Sequence, residues 1–366
     1  MQITNDIPHM KRALQLAERG LCSTSPNPRV GCVLVDADNQ IIAEGWHQKA
    51  GEAHAEIHAL QQASERAHGA TAYVTLEPCS HHGKTGPCCE ALIHAGVSRV
   101  VHGMQDPNPQ VAGRGLQKLR DAGIAVDGPL LEKEARALNA GFIKRMQTGL
   151  PFVRVKMAMS LDGRTAMASG ESQWITGATA REDVQFLRAR SCAIITSADT
   201  VLHDAARLTV RNIDALQQLN NRQPLRVLLD QRARVALDSA FFTDTAPVLW
   251  CTHQKPIATL PAHVTHCALP LKNNQLDLHA LLAELGSKQC NEVLIEAGAT
   301  LAGAFVKENL VDELIIYIAP QLMGSSARPL LELPIASMSD AKKLHIVDAC
   351  AIGDDWRFIL RPQQSH

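Results

Sequence analysis

Three short segments of the 366-residue chain carry residue types suited to metal-assisted hydrolysis: His54-Ala55-Glu56, Pro78-Cys79 and Pro87-Cys88. A catalytic zinc takes three protein ligands and keeps a fourth position open for water. His54, Cys79 and Cys88 supply one imidazole and two thiols for such a set. Glu56, two residues past the histidine, is placed to accept a proton from a metal-activated water and return it to a ring nitrogen and a departing amine. A histidine in a helix is usually a core or surface residue. The two Pro-Cys segments, one after a strand pattern and one at a helix start, give the combination its weight.

H-x-E followed by P-C-x-x-C is the pattern of zinc deaminases, in which the glutamate is not a ligand. The general pattern separates its cysteines by three positions; here Cys88 follows Cys79 by nine. The intervening segment, residues 80–86, reads as an inserted loop within reach of substrate. Its His81 and His82 are rival ligands, disfavoured because two donors beside Cys79 would crowd the ion. Cys89 and His58 read as packing residues. A helix N-terminus favours thiolate over thiol, so Cys88 is expected to be tuned for metal.

The elements that must hold these residues follow from hydrophobic period and turn residues. A helix is expected from about Ile7 to Glu18, strands at 30–35 and 41–45, and a helix from about Ala53 towards Arg66 with His54 in its first turn. A buried strand at 72–76, a helix opening at Pro87, a strand at 99–103 and a helix at 115–121 complete an α/β/α layer structure. Gly149-Leu150-Pro151 marks a junction. Beyond it come strands at 152–156, 192–196, 225–230, 248–251, 293–296 and 314–318. Helices are expected near 179–189, 278–285 and 301–308, and a closing antiparallel pair at 343–347 and 356–360. That alternation implies a second α/β domain with a largely parallel sheet. The segment from Glu296 to Phe305 follows a strand and is rich in Gly and Ala. Small residues there let a phosphate approach backbone N–H groups at a helix start, although the segment is not a G-x-G-x-x-G dinucleotide fingerprint.

Together with Pro26-Asn27-Pro28-Arg29-Val30-Gly31 and Gln105-Asp106-Pro107-Asn108-Pro109, the zinc segments closely resemble the bifunctional riboflavin-biosynthesis deaminase/reductases. The nine-residue cysteine spacing is that family's own. Lys156 to Gly163, Ser172-Gln173-Trp174-Ile175-Thr176 and Thr200-Val201-Leu202 resemble its reductase half, so the likeness covers almost the whole chain. It implies a cytidine-deaminase-like α/β/α sandwich at 1–148 followed by a dihydrofolate-reductase-like α/β domain at 149–366. It implies zinc-dependent deamination of a diaminohydroxyphosphoribosylaminopyrimidine, then NADPH-dependent reduction of the ribosyl group to ribityl. Asn27 and His47 would hold the pyrimidine. Ala158, Trp174, Thr200, Asp204 and the run Gly298, Ala299, Thr300, Leu301, Ala302, Gly303 and Ala304 would contact the cofactor. Ser172, Arg188, Leu208, Arg211 and Glu296 would contact substrate, the arginines suiting a phosphate. Lys156 is the chosen proton donor, with Asp204 and Glu296 as the other chemical candidates. Gly86 stands where the family usually has proline, Ala205-Ala206 where it has Asp-Pro, and Gln231 where a cofactor-contacting serine is common.

One zinc per chain and NADPH are therefore the expected cofactors, and small phosphoribosylated pyrimidines the partners. A net charge of −1, 4% aromatic residues and 46% apolar residues argue against a nucleic-acid partner such as an edited RNA. No stretch has the apolar length of a membrane span. Scattered cysteines and a start without signal-peptide character lead to an expected cytoplasmic location, and covered strand edges to an expected homo-oligomer.

Overall fold

The computed structural model describes residues 2–80, 86–108, 111–219, 222–254 and 259–363. The chain divides into two compact units, Met1–Gly149 and Leu150–His366.

The first unit runs α1 (Gln2–Glu18), β1 (Gly31–Val35), β2 (Ile41–Trp46), α2 (Ala55–Ala63), β3 (Thr71–Val74), α3 (Cys88–His94), β4 (Arg99–His102), α4 (Arg114–Asp121), β5 (Ala125–Asp127), α5 (Glu132–Leu138) and α6 (Ala140–Thr148). Its five strands lie in the order β2-β1-β3-β4-β5. β1 is antiparallel to both β2 and β3, while β3, β4 and β5 are mutually parallel. β1 is buried along its whole length, so its continuous apolar run is a strand covered on both faces. The core packs Met10 and Ala13 of α1, Ala59 of α2 and Leu92 of α3 against Val33, Leu34, Ala72 and Val100.

The second unit begins β6 (Phe152–Ser160), β7 (Arg164–Ala166), α7 (Ala178–Arg190), β8 (Ala193–Ser197), α8 (Ala198–Asp204), α9 (Ile213–Gln218), β9 (Leu225–Leu229), α10 (Ala240–Thr243), β10 (Val248–Thr252) and β11 (Val264–Ala268). It continues β12 (Leu271–Lys272), β13 (Gln275–Leu276), α11 (Leu278–Ser287), β14 (Glu292–Ile295), α12 (Ala299–Lys307), β15 (Glu313–Ala319), β16 (Arg328–Pro329), β17 (Leu344–Ile352) and β18 (Asp355–Pro362). Nine strands form one sheet, β11-β10-β9-β8-β14-β6-β15-β18-β17. The first seven are parallel, and β18 and β17 close the edge antiparallel. Side chains alternate across it: Ile195, Val227 and Val293 pack on one face with α11 and α12, while Ile194, Leu228 and Trp250 pack on the other. Within the sheet, buried Arg154 is held between Glu292 (2.6 Å) and Glu313 (2.8 Å).

Three expectations need correction. His54 is not in the first turn of α2 but is its N-cap residue, with extended backbone. Cys79 does not directly follow its strand, because β3 ends at Val74 and a loop intervenes. The helix expected to reach Arg66 ends as α-helix at Ala63 and continues as one short 3₁₀ turn.

Candidate metal centre and reductase cavity

Close backbone packing sets the start of α2. A Cβ on Gly45 of β2 would lie 2.2 Å from the Ala55 carbonyl oxygen, so only glycine lets the helix sit this near the strand. Cys79 is fixed from the other side. The buried Glu77 carboxylate accepts hydrogen bonds from the backbone N–H groups of Asp106 (3.2 Å), Gly113 (2.9 Å) and Gly115 (3.0 Å). A Cβ on Gly115 would fall 2.0 Å from the Pro78 carbonyl oxygen. Glu77 went unnoticed in the sequence; an acidic residue inside an otherwise buried run beside a ligand was the available signal.

His54, Cys79 and Cys88 converge, their ligand atoms all within 4.8 Å of one another. His54 Nδ1 lies 3.2 Å from Cys88 Sγ and 3.6 Å from Cys79 Sγ. Ligands at ordinary Zn–N and Zn–S lengths around a tetrahedral ion stand roughly 3.5–3.8 Å apart, so the donor set and its spacing fit zinc. Beside them Glu56 is 3% exposed, and its Oε2 is buried without a hydrogen-bond partner. Burial raises this carboxyl to about 7. His81 and His82 lie outside the described residues, whereas Cys89 belongs to the hydrophobic core as expected.

The Cys88 side chain and backbone N–H both hydrogen-bond Cys79, which lowers Cys79 to about 4, and the same contact together with burial raises Cys88. The Cys88 N–H that opens α3 donates to Cys79 Sγ (3.3 Å), so the helix start favours thiolate at Cys79 as well. Asn27 and His47 are joined, Nδ2 to Nε2 at 3.1 Å. The Ala53 carbonyl, 3.0 Å from His47 Nδ1, can only accept, so Nδ1 carries the hydrogen and Nε2 accepts from Asn27. Desolvation lowers the His47 pKa, consistent with that neutral tautomer, and its ring meets His54 edge-on at 5.2 Å.

The tight approach at Gly45 carries a prediction. Gly45→Ala should destabilise the first unit by about 1–3 kcal/mol through overpacking and reduce the zinc recovered per chain. Thermal unfolding and metal analysis of purified protein check it, and an unchanged zinc content would show that α2 has room to shift.

In the second unit a cavity of about 590 Å³ opens at the carboxyl ends of the parallel strands. It is lined by Lys156, Ala158, Ser172, Trp174, Arg188, Thr200, Asp204, Leu208, Glu296, Gly298, Ala299, Thr300, Leu301 and Ala304 among the expected residues. Three others do not line it. Ala302 is fully buried in the core, and a Cβ on Gly303 would strike the Glu332 backbone, because both lie on the face of α12 turned into the protein. Arg211 is exposed off the cavity wall, its charge still felt by Glu296.

Arg188 lines the cavity and also pairs with another expected residue. Its guanidinium binds Glu296 through Nε (2.6 Å) and Nη2 (2.9 Å), and Nη1 donates to the Thr209 carbonyl (3.1 Å). Arg188 thereby holds the Glu296 carboxylate in place at the cavity wall. Ser172 Oγ donates to Asp204 Oδ1 (2.9 Å), and Arg181 stacks 4.6 Å over the exposed Trp174 ring. Desolvation lowers the Lys156 pKa, with Arg188 adding to that effect and Glu296 opposing it. The lining residues Gln275, Lys272, Asp199 and Arg234 were not foreseen; their positions depend on loops beyond strand ends, which hydrophobic periodicity does not mark.

The chain matches the family model for the RibD C-terminal domain over residues 151–358 and that for the cytidine and deoxycytidylate deaminase zinc-binding region over residues 3–104. It is 52% identical to the riboflavin biosynthesis protein RibD of Escherichia coli K12, over 95% of this chain and 96% of that protein. Identity to the RibD of Bacillus amyloliquefaciens is 40%, over 97% and 96% respectively. The solved RibD of Acinetobacter baumannii superposes with a TM-score of 0.90 at 46% identity, covering 99% of this chain and all of that one. A Thermotoga maritima structure described as a diaminohydroxyphosphoribosylaminopyrimidine deaminase/5-amino-6-(5-phosphoribosylamino)uracil reductase gives 0.89 at 33%, with coverage of 99% and 100%. The chain belongs to the family of bifunctional riboflavin-biosynthesis enzymes, which join a deaminase to a reductase.

Proposed function

We propose that the first unit, taken as residues 1–148, hydrolytically deaminates diaminohydroxyphosphoribosylaminopyrimidine. The second, residues 149–366, would then reduce the ribosyl group of the resulting 5-amino-6-(5-phosphoribosylamino)uracil to ribityl with NADPH. The observation that carries the reading is the convergence of His54, Cys79 and Cys88 beside a buried Glu56 with one unpartnered oxygen. One zinc held by those three residues supplies Lewis acidity that makes water nucleophilic. Glu56 accepts one proton of that water as its oxygen bonds the amidine carbon and passes it to the ring nitrogen; it then takes the remaining hydroxyl proton and gives it to the amine, which leaves as ammonia as the carbonyl forms. Asn27 and His47 hold the pyrimidine in register with Glu56.

In the second unit the cavity wall at Ala158, Trp174 and Thr200 and the start of α12 at Gly298–Leu301 would receive the dinucleotide. Nicotinamide, when bound, supplies the hydride. Ser172, Leu208 and Glu296 orient the sugar. Lys156 places a proton on the ribose ring oxygen as the ring opens, and C1 of the sugar is then the carbon that gains hydrogen. The substrates are small molecules. The enzyme works in the cytoplasm as a homo-oligomer, and among the described residues no helix is long and apolar enough to cross a membrane.

Selective metal removal tests the division of labour. Stripping zinc with a chelator should abolish ammonia release while NADPH oxidation by the deaminated intermediate continues at its former rate. Ammonia release that survives quantitative zinc loss refutes the metal-dependent first step. Failure of the intermediate to oxidise NADPH refutes the second.

A further inference from the structure

Arg234 is a guanidinium at the cavity wall with no role so far. It stands just past the carboxyl end of β9, in a turn built around buried Asp230. Asp230 accepts from the backbone N–H groups of Arg234 (Oδ1, 2.9 Å) and Val235 (Oδ2, 2.9 Å), and its carbonyl accepts from Ala233 N (2.9 Å). The turn therefore fixes where the Arg234 side chain starts. Its Nη2 donates to Asp199 Oδ1 at 2.6 Å, and both side chains are about half exposed, at 48% and 63%.

The strand order β9-β8-β14-β6 gives this position a meaning. Ligands of open parallel sheets lie across the carboxyl ends of the strands. α12 begins at the end of β14, and β9 lies two strand spacings away, roughly 10 Å. Lys156, on β6, lies on the opposite side of β14. A dinucleotide with its hydride-bearing ring near Lys156 and its pyrophosphate at α12 directs its adenosine ribose towards β8 and β9. Of the other cavity cations, Arg188 is bound by buried Glu296, Arg181 stacks on Trp174 and donates to the Thr176 carbonyl, Lys272 pairs with Glu308, and Arg328 lies on β16, paired with β7 rather than beside β9; Arg234's own partner, Asp199, is exposed. Only a planar fork matches phosphate oxygens two at a time, which favours Arg234 over Lys272.

We infer that Arg234 binds the 2′-phosphate of the adenosine ribose and thereby selects NADPH over NADH. The inference rests on the dinucleotide reading above. It is tested by calorimetric titration of the full chain with NADP⁺ and with NAD⁺, which differ only in that phosphate. Parent protein should prefer NADP⁺. Arg234→Ala should weaken NADP⁺ about tenfold or more and leave NAD⁺ within about twofold, and Arg234→Lys, which keeps the charge without the fork, should fall between. Equal weakening of both dinucleotides overturns the assignment, as does a selective NADP⁺ loss that follows Lys272→Ala instead of Arg234→Ala. Parent protein that binds both equally well leaves no discrimination to assign and overturns it too. Parent protein that binds neither overturns the cofactor reading itself.

Discussion

Glu56→Gln should retain zinc at the parental content and release ammonia roughly 10²–10⁴-fold more slowly, the usual loss when a positioned proton carrier is removed. Glutamine matches glutamate in size, so a site 3% exposed is neither emptied nor overfilled. The ligand atoms of His54, Cys79 and Cys88 are untouched, and metal affinity is expected to follow them. What disappears is a carboxylate able to accept a proton from water and return it to the leaving amine. The amide cannot cycle in that way. Zinc content by elemental analysis and ammonia release by a coupled assay, on one preparation, decide the matter. Normal turnover with zinc in place would reduce Glu56 to a packing residue and transfer the proton traffic to another group.

The first site was legible in the sequence because its chemistry is local. His54 and Glu56 are two positions apart, and each cysteine follows a proline, Pro87 standing directly before α3. What could not be read was the hydrogen bonding around the thiols. The Cys88 N–H donates to the Cys79 sulfur, and this is settled by the path of the loop from Val74 to Cys79. The strands and their largely parallel order in the second unit were legible from alternating apolar runs. The cavity they frame was less so. Arg188 and Glu296 are 108 positions apart and meet only because α7 packs against the sheet beside β14. Small residues of α12 likewise read alike in the sequence, and only helical rotation separates Gly298 and Ala299, on the cavity, from Ala302 and Gly303, in the core.

Lys156→Met should reduce turnover of the deaminated intermediate roughly 10²–10⁴-fold, while ammonia release from the same preparation continues at the parental rate. The argument starts from β6, where Lys156 projects from a strand whose neighbours Val155 and Met157 enter the opposite core. Its ammonium is desolvated and faces the Glu296 carboxylate, which Arg188 already neutralises with two hydrogen bonds. Desolvation makes the lysine a readier proton donor, and Glu296 supplies enough opposing charge to keep a proton available. Methionine keeps the length and apolar stem but carries no proton, and it leaves the Arg188–Glu296 pair balanced, so folding should survive. A fall in kcat with NADP⁺ affinity little changed would separate proton transfer from cofactor binding. If turnover persists, the donor is another group on the same wall, and Asp204, with its Oδ1 accepting from Ser172 Oγ at 2.9 Å, becomes the residue to replace.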